Sequence, residues 1–69
     1  MEPLSTSLRA LRLPQVTDKT GISRSQVFKM IKAGDFPQSY RLSDSGSIVA
    51  WSSTEIDAWL EAKFLEGRS

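Results

Sequence analysis

The sequence predicts a mainly helical α+β fold, a winged helix-turn-helix in which two helices are followed by a two-stranded hairpin and a third helix. A chain of 69 residues has room for one small domain. It contains no cysteine and no histidine, and 39% of its residues are hydrophobic, so its core must be apolar rather than held by a disulfide or by zinc. Two helical segments that end at glycines precede two β-prone segments separated by a turn.

Two short helices joined by a tight turn are predicted first. Pro14 suits the first turn of a helix, because its fixed φ is already helical and its missing N–H would have no partner there. This helix ends at Gly21, a residue that readily adopts the left-handed conformation. Ser23 is a favourable N-cap for a second helix over residues 24–33, which Gly34 terminates. The order of helix, glycine-containing turn and helix is that of a helix-turn-helix unit.

A hairpin and a third helix are predicted in the second half of the chain. Residues 40–42 and 48–51 favour strands, and residues 43–47 between them favour a turn. Two strands alone are marginal in water, so the helices must cover them. Ser52 and Glu55 then form the S-x-x-E pattern of a capping box, in which each side chain accepts the backbone N–H of the other residue.

The remaining expectations concern the core and the N-terminus. The large aromatic side chains at periodic or turn positions are expected in the core, namely Phe36, Trp51, Trp59 and Phe64. Either Lys63 or Phe64 continues the buried stripe of the third helix. Residues 8–13 fit a helix and a strand equally well. Residues 1–7 indicate a flexible N-terminus, and the domain is expected to span residues 8–66.

The outer face of the second helix carries side chains of the kind that bind the major groove of DNA. Gln26 is able to make paired hydrogen bonds to adenine, Lys29 to reach guanine, and Ser25 to bind either a base or a phosphate. Arg24 and Lys32 lie at the two ends of the same helix and are assigned to phosphates. We therefore interpret this segment as a recognition helix, although a polar outer face is equally typical of a surface helix without a ligand.

Charge is divided unequally along the chain. Residues 1–43 contain seven basic and three acidic residues, whereas residues 44–69 contain two basic and five acidic residues. A basic first half favours a polyanionic partner, and an acidic last helix would keep the other side of the protein away from it. Lys19, Ser23 and Arg41 complete the predicted DNA-binding set, with Arg41 as a phosphate contact from the hairpin.

Other function classes find less support. The carboxylates of the third helix, such as Asp57 and Glu61, have no titratable neighbour suited to acid–base catalysis, so we expect no enzyme. We expect no metal, no cofactor and no small-molecule ligand. The longest apolar run is far too short to span a membrane, and the expected compartment is the cytoplasm. A module that binds and inhibits a partner regulator remains an alternative.

About 70% of the chain resembles the AlpA-type prophage regulators, small relatives of phage excisionases and of the MerR-type winged DNA-binding domain. The matching residues are Leu13-Pro14-x-Val16, Thr20-Gly21-Ile22-Ser23-Arg24-Ser25, Val27-Phe28-Lys29-Met30-Ile31-Lys32-x-Gly34-x-Phe36-Pro37, Leu42, Val49-Ala50-Trp51 and Glu55-Ile56-Asp57-x-Trp59-Leu60. The resemblance implies a winged helix-turn-helix that binds double-stranded DNA, with Arg24, Ser25, Gln26 and Lys29 on the recognition helix. It also implies a transcriptional role, or alternatively an excisionase-like role in directing recombination, in a bacterial, nucleoid-associated setting.

The chain departs from the family pattern on the recognition helix and on the hairpin. Family members commonly have tyrosine where this chain has Phe28, and threonine or serine where it has Gln26. Their hairpins often carry arginine or lysine where this chain has Asp44 and Ser47.

One recognition helix reads only about four or five base pairs, so we expect a homodimer or several copies on DNA.

Overall fold

The structure, a computed structural model, describes residues 8–68. The predicted flexible N-terminus, residues 1–7, lies outside the described residues. The elements in chain order are β1 (Ala10–Leu11), α1 (Leu13–Thr20), α2 (Arg24–Lys32), β2 (Tyr40–Arg41), β3 (Val49–Ser52) and α3 (Ser53–Gly67). Three helices and a small antiparallel sheet make the fold mainly helical α+β, as predicted, and the arrangement is consistent with a winged helix-turn-helix. None of the helices within residues 8–68 is long and apolar enough to cross a membrane.

The sheet has three strands in the order β1-β3-β2. The predicted hairpin is present, because β2 pairs antiparallel with β3 through Tyr40 opposite Ala50. Residues 8–13, whose pattern fits a helix and a strand equally well, contain the strand β1. This strand pairs with the other edge of β3 through Leu11 opposite Trp51. The pairing continues beyond β1, since the Ser53 N–H donates to the Arg9 carbonyl at 2.9 Å. The hairpin is therefore tied to the start of the described chain.

The two helices of the helix-turn-helix unit begin and end within one residue of the predicted positions. Pro14 lies in the first turn of α1, and Gly21 closes α1 with a left-handed φ of 72°. The Ser23 hydroxyl accepts the Gln26 N–H at 3.3 Å and caps α2. The helix ends at Lys32, one residue before the predicted end.

The N-terminus of α3 forms only half of the predicted capping box. The Ser52 hydroxyl accepts the Glu55 N–H at 3.3 Å, as expected. The Glu55 carboxylate instead accepts the hydroxyl of Tyr40 at 2.7 Å. The prediction of a reciprocal bond was wrong, because Ser52 also belongs to β3 and a side chain of the neighbouring strand binds the carboxylate.

One apolar cluster joins α1, α2, the sheet and α3. Its buried members are Leu11, Val16, Val27, Phe36, Trp51 and Ile56. Trp51 and Ile56 lie on either side of the Ser52 cap, and both are almost fully buried. The core predictions for Phe36 and Trp51 are confirmed, and Trp59 packs against the cluster as a half-buried side chain.

The core prediction for Phe64 was wrong, since 72% of this side chain is exposed. Lys63 takes the position on the inner stripe of α3. Its ammonium lies 5.8 Å from the centroid of the Trp59 ring and donates to the Asp35 carboxylate at 3.2 Å. The anionic partner on the loop after α2 favours the lysine on this side of the helix, which turns Phe64 towards solvent.

Candidate nucleic-acid interface

The helix α2 is held against α1 by a short turn and by two fully buried valines. Val16 of α1 and Val27 of α2 both have 0% exposure. Within the turn, the Thr20 hydroxyl donates to the Val16 carbonyl at 2.8 Å and accepts the Ile22 N–H at 3.2 Å. The left-handed Gly21 lets the chain turn between the two helices within three residues, because glycine has no Cβ to clash in that conformation. The turn therefore sets the angle at which α2 leaves α1.

The segment that follows α2 is fixed by both tryptophans. The indole N–H of Trp51 donates to the Pro37 carbonyl at 3.0 Å, and that of Trp59 donates to the Asp35 carbonyl at 3.1 Å. The rings of Phe36 and Trp59 pack at a centroid distance of 4.7 Å and an interplanar angle of 60°. Side chains from β3 and α3 thus hold the end of α2, so its position is determined at both ends.

The outer face of α2 is open to solvent. Ser25, Gln26 and Lys29 are all exposed, whereas Val27 on the inner face is fully buried. Successive side chains on a helix are about 100° apart, so Ser25 and Lys29 lie about 160° from the buried Val27 and point away from the α1 contact, whereas Gln26 lies about 100° from it. Neither the hairpin nor α3 covers them. The exposed placement that the recognition-helix interpretation requires is present in the structure.

Five basic residues at and around α2 have no carboxylate partner among residues 8–68. Within residues 8–68, the ion pairs involve only Lys19 and Lys63 among the basic residues. The basic residues at and around α2 that form none are Arg12, Arg24, Lys29, Lys32 and Arg41, all of them exposed. Unpaired surface cations remain free to replace the counterions of a phosphate backbone.

The three predicted site residues outside α2 lie in three different places. Ser23 caps α2, so its hydroxyl already accepts one hydrogen bond at the end of the helix. Lys19 lies 2.9 Å from the Asp57 carboxylate and thus turns towards the acidic helix α3. The Arg41 side chain lies against Gly46 of the hairpin turn. A Cβ placed on this glycine would be only 3.1 Å from the Arg41 Cδ. The structure therefore groups Ser23 with α2 and separates Lys19 from it.

A cleft next to α2 is lined by two residues outside the site predicted from the sequence. It has a volume of about 290 Å³ and lies between the start of α1, α2 and the sheet. Arg12 and Phe28 both line it, and 48% of Phe28 is exposed. The available signals were the basic residue directly before Pro14 and a large apolar side chain at the edge of the inner face. Neither signal shows that the two side chains meet at one cleft.

Two pKa shifts arise from contacts outside this face. The hydrogen bond to the Glu55 carboxylate, together with its negative charge, raises the pKa of Tyr40. The hydrogen bond and charge of Asp35, with a smaller contribution from Glu66, raise the pKa of Lys63. Each contact favours the protonated side chain. Both contacts belong to the scaffold that supports α2 rather than to its exposed face.

The comparison with protein families bears directly on this arrangement. Residues 9–64 match the family described as "Prophage CP4-57 regulatory protein (AlpA)". The chain belongs to this family. The match covers all three helices except the last residues of α3, and it confirms the resemblance found from the sequence. The family is a regulatory one by its description, and a regulatory family is consistent with a DNA partner.

A phage relative supports the same assignment. The chain is 38% identical over 61 residues to a protein of Enterobacteria phage P4 described as "Uncharacterized protein ORF88". The aligned region covers 88% of this chain and 67% of the relative. No solved structure matches the chain.

Proposed function

We propose that this protein is a sequence-specific, double-stranded-DNA-binding transcriptional regulator of prophage type that places α2 in the major groove. The observation that carries the proposal is the exposed outer face of α2, whose cations form no ion pair within the described part of the chain. Such a face matches the phosphates and base edges of a duplex, and the regulatory family supports this partner. The protein would act at the bacterial nucleoid, without catalytic chemistry.

Base readout is assigned to the middle of α2. Gln26 has an amide that both donates and accepts, as the N6 and N7 atoms of adenine require. Lys29 carries the donors for O6 and N7 of guanine, and Ser25 reaches either a base or a phosphate. All three are exposed, so binding requires no rearrangement of the core.

Phosphate contacts are assigned to the periphery of the same face. Arg24 and Lys32 flank the reading residues, and Arg41 extends the contact to the hairpin. If these three cations and Lys19 all neutralise phosphates, log K should fall with log salt at a slope of about −3.6. Lys19 must first exchange its partner Asp57 for a phosphate. An exposed pair of this kind contributes about 0–1 kcal/mol, so the exchange costs little.

More than one copy is expected on a natural site. One recognition helix contacts about four or five base pairs, and specific affinities usually require a larger interface. A homodimer or a cooperative array would supply it. Footprints longer than about one helical turn, together with a steep dependence on protein concentration, would support this part of the proposal.

The test is a gel shift and footprint with duplexes from around the protein's own coding region, followed by a salt titration. We expect protection of discrete sites and a slope between about −3 and −5. Lys32→Ala should weaken binding and make the slope less steep by about 0.9, whereas the matched control Lys63→Ala should not, because Lys63 is paired with Asp35. A binding constant that does not change with salt concentration would contradict the proposal. So would binding of a partner regulator with no affinity for duplex DNA.

The role of DNA binding is tested separately. A transcriptional regulator changes expression from a promoter that carries the protected site. If promoter activity is unchanged and excision of a mobile element requires the protein, the excisionase-like alternative replaces transcriptional regulation.

A further inference from the structure

The cleft beside α2 is continuous with the proposed recognition face. Ser25, Phe28 and Lys32 are spaced by three and four residues, so they lie along one side of α2. Phe28 of this row lines the cleft, and Arg12 lines it from the start of α1. Ser39 and Val49 border the cleft from the hairpin side. The cleft therefore has an apolar wall on α2 and a cation on the neighbouring element.

A helix inserted in the major groove contacts it along both flanks. A helix with its side chains is about 10–12 Å in diameter, and the groove is about 12 Å wide. Side chains at the edges of the exposed face therefore meet base edges or the groove wall. Phe28 occupies such an edge, because it is one residue, or about 100°, from the fully buried Val27.

About half of the Phe28 side chain faces solvent. Its exposed fraction is 48%, and it is not among the residues of the buried cluster or those packed against it. A large apolar side chain at a DNA interface gains most by covering an apolar group. The 5-methyl group of thymine is the apolar feature that the major groove presents, and aromatic side chains are able to contact it.

Arg12 supplies the complementary charge. It is exposed and forms no ion pair within residues 8–68. We propose that the cleft between α1, α2 and the sheet is a second part of the DNA interface, in which Phe28 reads a thymine methyl group and Arg12 binds a phosphate of the adjoining backbone. This inference rests on the proposed function, since it requires α2 in the major groove.

The test replaces single thymines by deoxyuridine in a duplex that the protein selects from random sequence. Deoxyuridine lacks only the methyl group, so base pairing is retained. We expect one thymine whose replacement weakens binding about fourfold, which corresponds to burial of one methylene-sized group at ~0.8 kcal/mol. Phe28→Ala should lower the affinity by at least this factor and abolish the sensitivity to deoxyuridine. Phe28→Leu should retain part of it.

The chain offers matched controls for both residues. Phe64→Ala makes the same change at an exposed phenylalanine of α3 and should leave the sensitivity to deoxyuridine intact. Arg12→Ala should make the salt slope less steep by about 0.9, whereas Arg68→Ala at the end of α3 should not change it.

The possible results separate this inference from the proposed function. A selected site with no required thymine, or equal sensitivity to deoxyuridine in wild type and Phe28→Ala, would overturn the role of Phe28. If Gln26→Ala and Lys29→Ala still alter base preference in that case, α2 reads DNA without Phe28. An unchanged salt slope for Arg12→Ala would overturn its phosphate contact. Failure of the wild type to bind any duplex would overturn both proposals.

Discussion

The N-cap of α2 allows the stability of the helix and its contact with DNA to be measured separately. The Ser23 hydroxyl accepts the Gln26 N–H at 3.3 Å, and the Ser52 hydroxyl accepts the Glu55 N–H of α3 at the same distance. Replacing either serine by alanine removes one cap, at a cost of about 1 kcal/mol in the free energy of unfolding. For a domain of this size, that loss lowers Tm by roughly 4–8 °C. The two alanine variants should therefore melt at similar temperatures.

Aspartate at the same two positions separates the cap from the DNA contact. Aspartate caps a helix about as well as serine, so neither Ser23→Asp nor Ser52→Asp should lower Tm appreciably. At position 23 the added charge would face DNA phosphates, and two like charges 4 Å apart repel by about 1 kcal/mol even in bulk water. Ser23→Asp should then lose about fivefold or more in DNA affinity, whereas Ser52→Asp should bind as the wild type does.

Thermal melting by circular dichroism and fluorescence anisotropy with a labelled duplex provide the two readouts. The reasoning would be refuted if folded Ser23→Asp bound DNA as tightly as the wild type. It would also be refuted if Ser52→Asp lost the same affinity, since the effect would then come from net charge alone.

Substitutions elsewhere test the core and the hairpin contact. Trp51→Ala should lower the free energy of unfolding by about 3–5 kcal/mol and abolish the cooperative thermal melt, because this residue is only 3% exposed. A retained cooperative melt would show that the core is elsewhere. Phe64→Ala should change the free energy of unfolding by no more than about 0.5 kcal/mol, and a larger loss would show that Phe64 is buried in solution. In an ultraviolet titration of tyrosinate, Glu55→Ala should lower the pKa of Tyr40, the only tyrosine, and an unchanged titration would contradict the hydrogen bond. Because that pKa is raised in the folded state, the contact stabilises the protein below the pKa of the unfolded chain and is lost as pH rises through the folded value.

The elements that were predicted correctly are those whose boundaries depend on local chemistry. Pro14 lies in the first turn of α1 and Gly21 directly follows its last residue, because their backbone preferences act within one turn of helix. Ser23 starts α2 for the same kind of reason. The exposed face of α2 followed from the helical period alone, which is also a local property.

The features that were missed depend on contacts between distant parts of the chain. β1 has only two residues, so it shows no periodicity, and it becomes a strand only by pairing with Trp51 and Ser52. The choice between Lys63 and Phe64 was decided by Asp35, a residue 28 positions before Lys63. The cleft beside α2 was not foreseeable either, because it forms where three separate elements meet.

The central claim is that α2 reads bases from the major groove, and base preference measured by selection from random duplexes tests it most directly. Gln26→Ala or Lys29→Ala should relax the preference at one or two positions, at a cost of roughly 1–3 kcal/mol for the preferred site. Lys32→Ala should weaken binding to all sequences alike. If all three variants instead lowered the affinity for every duplex by the same factor and left the selected sequence unchanged, α2 would not read bases.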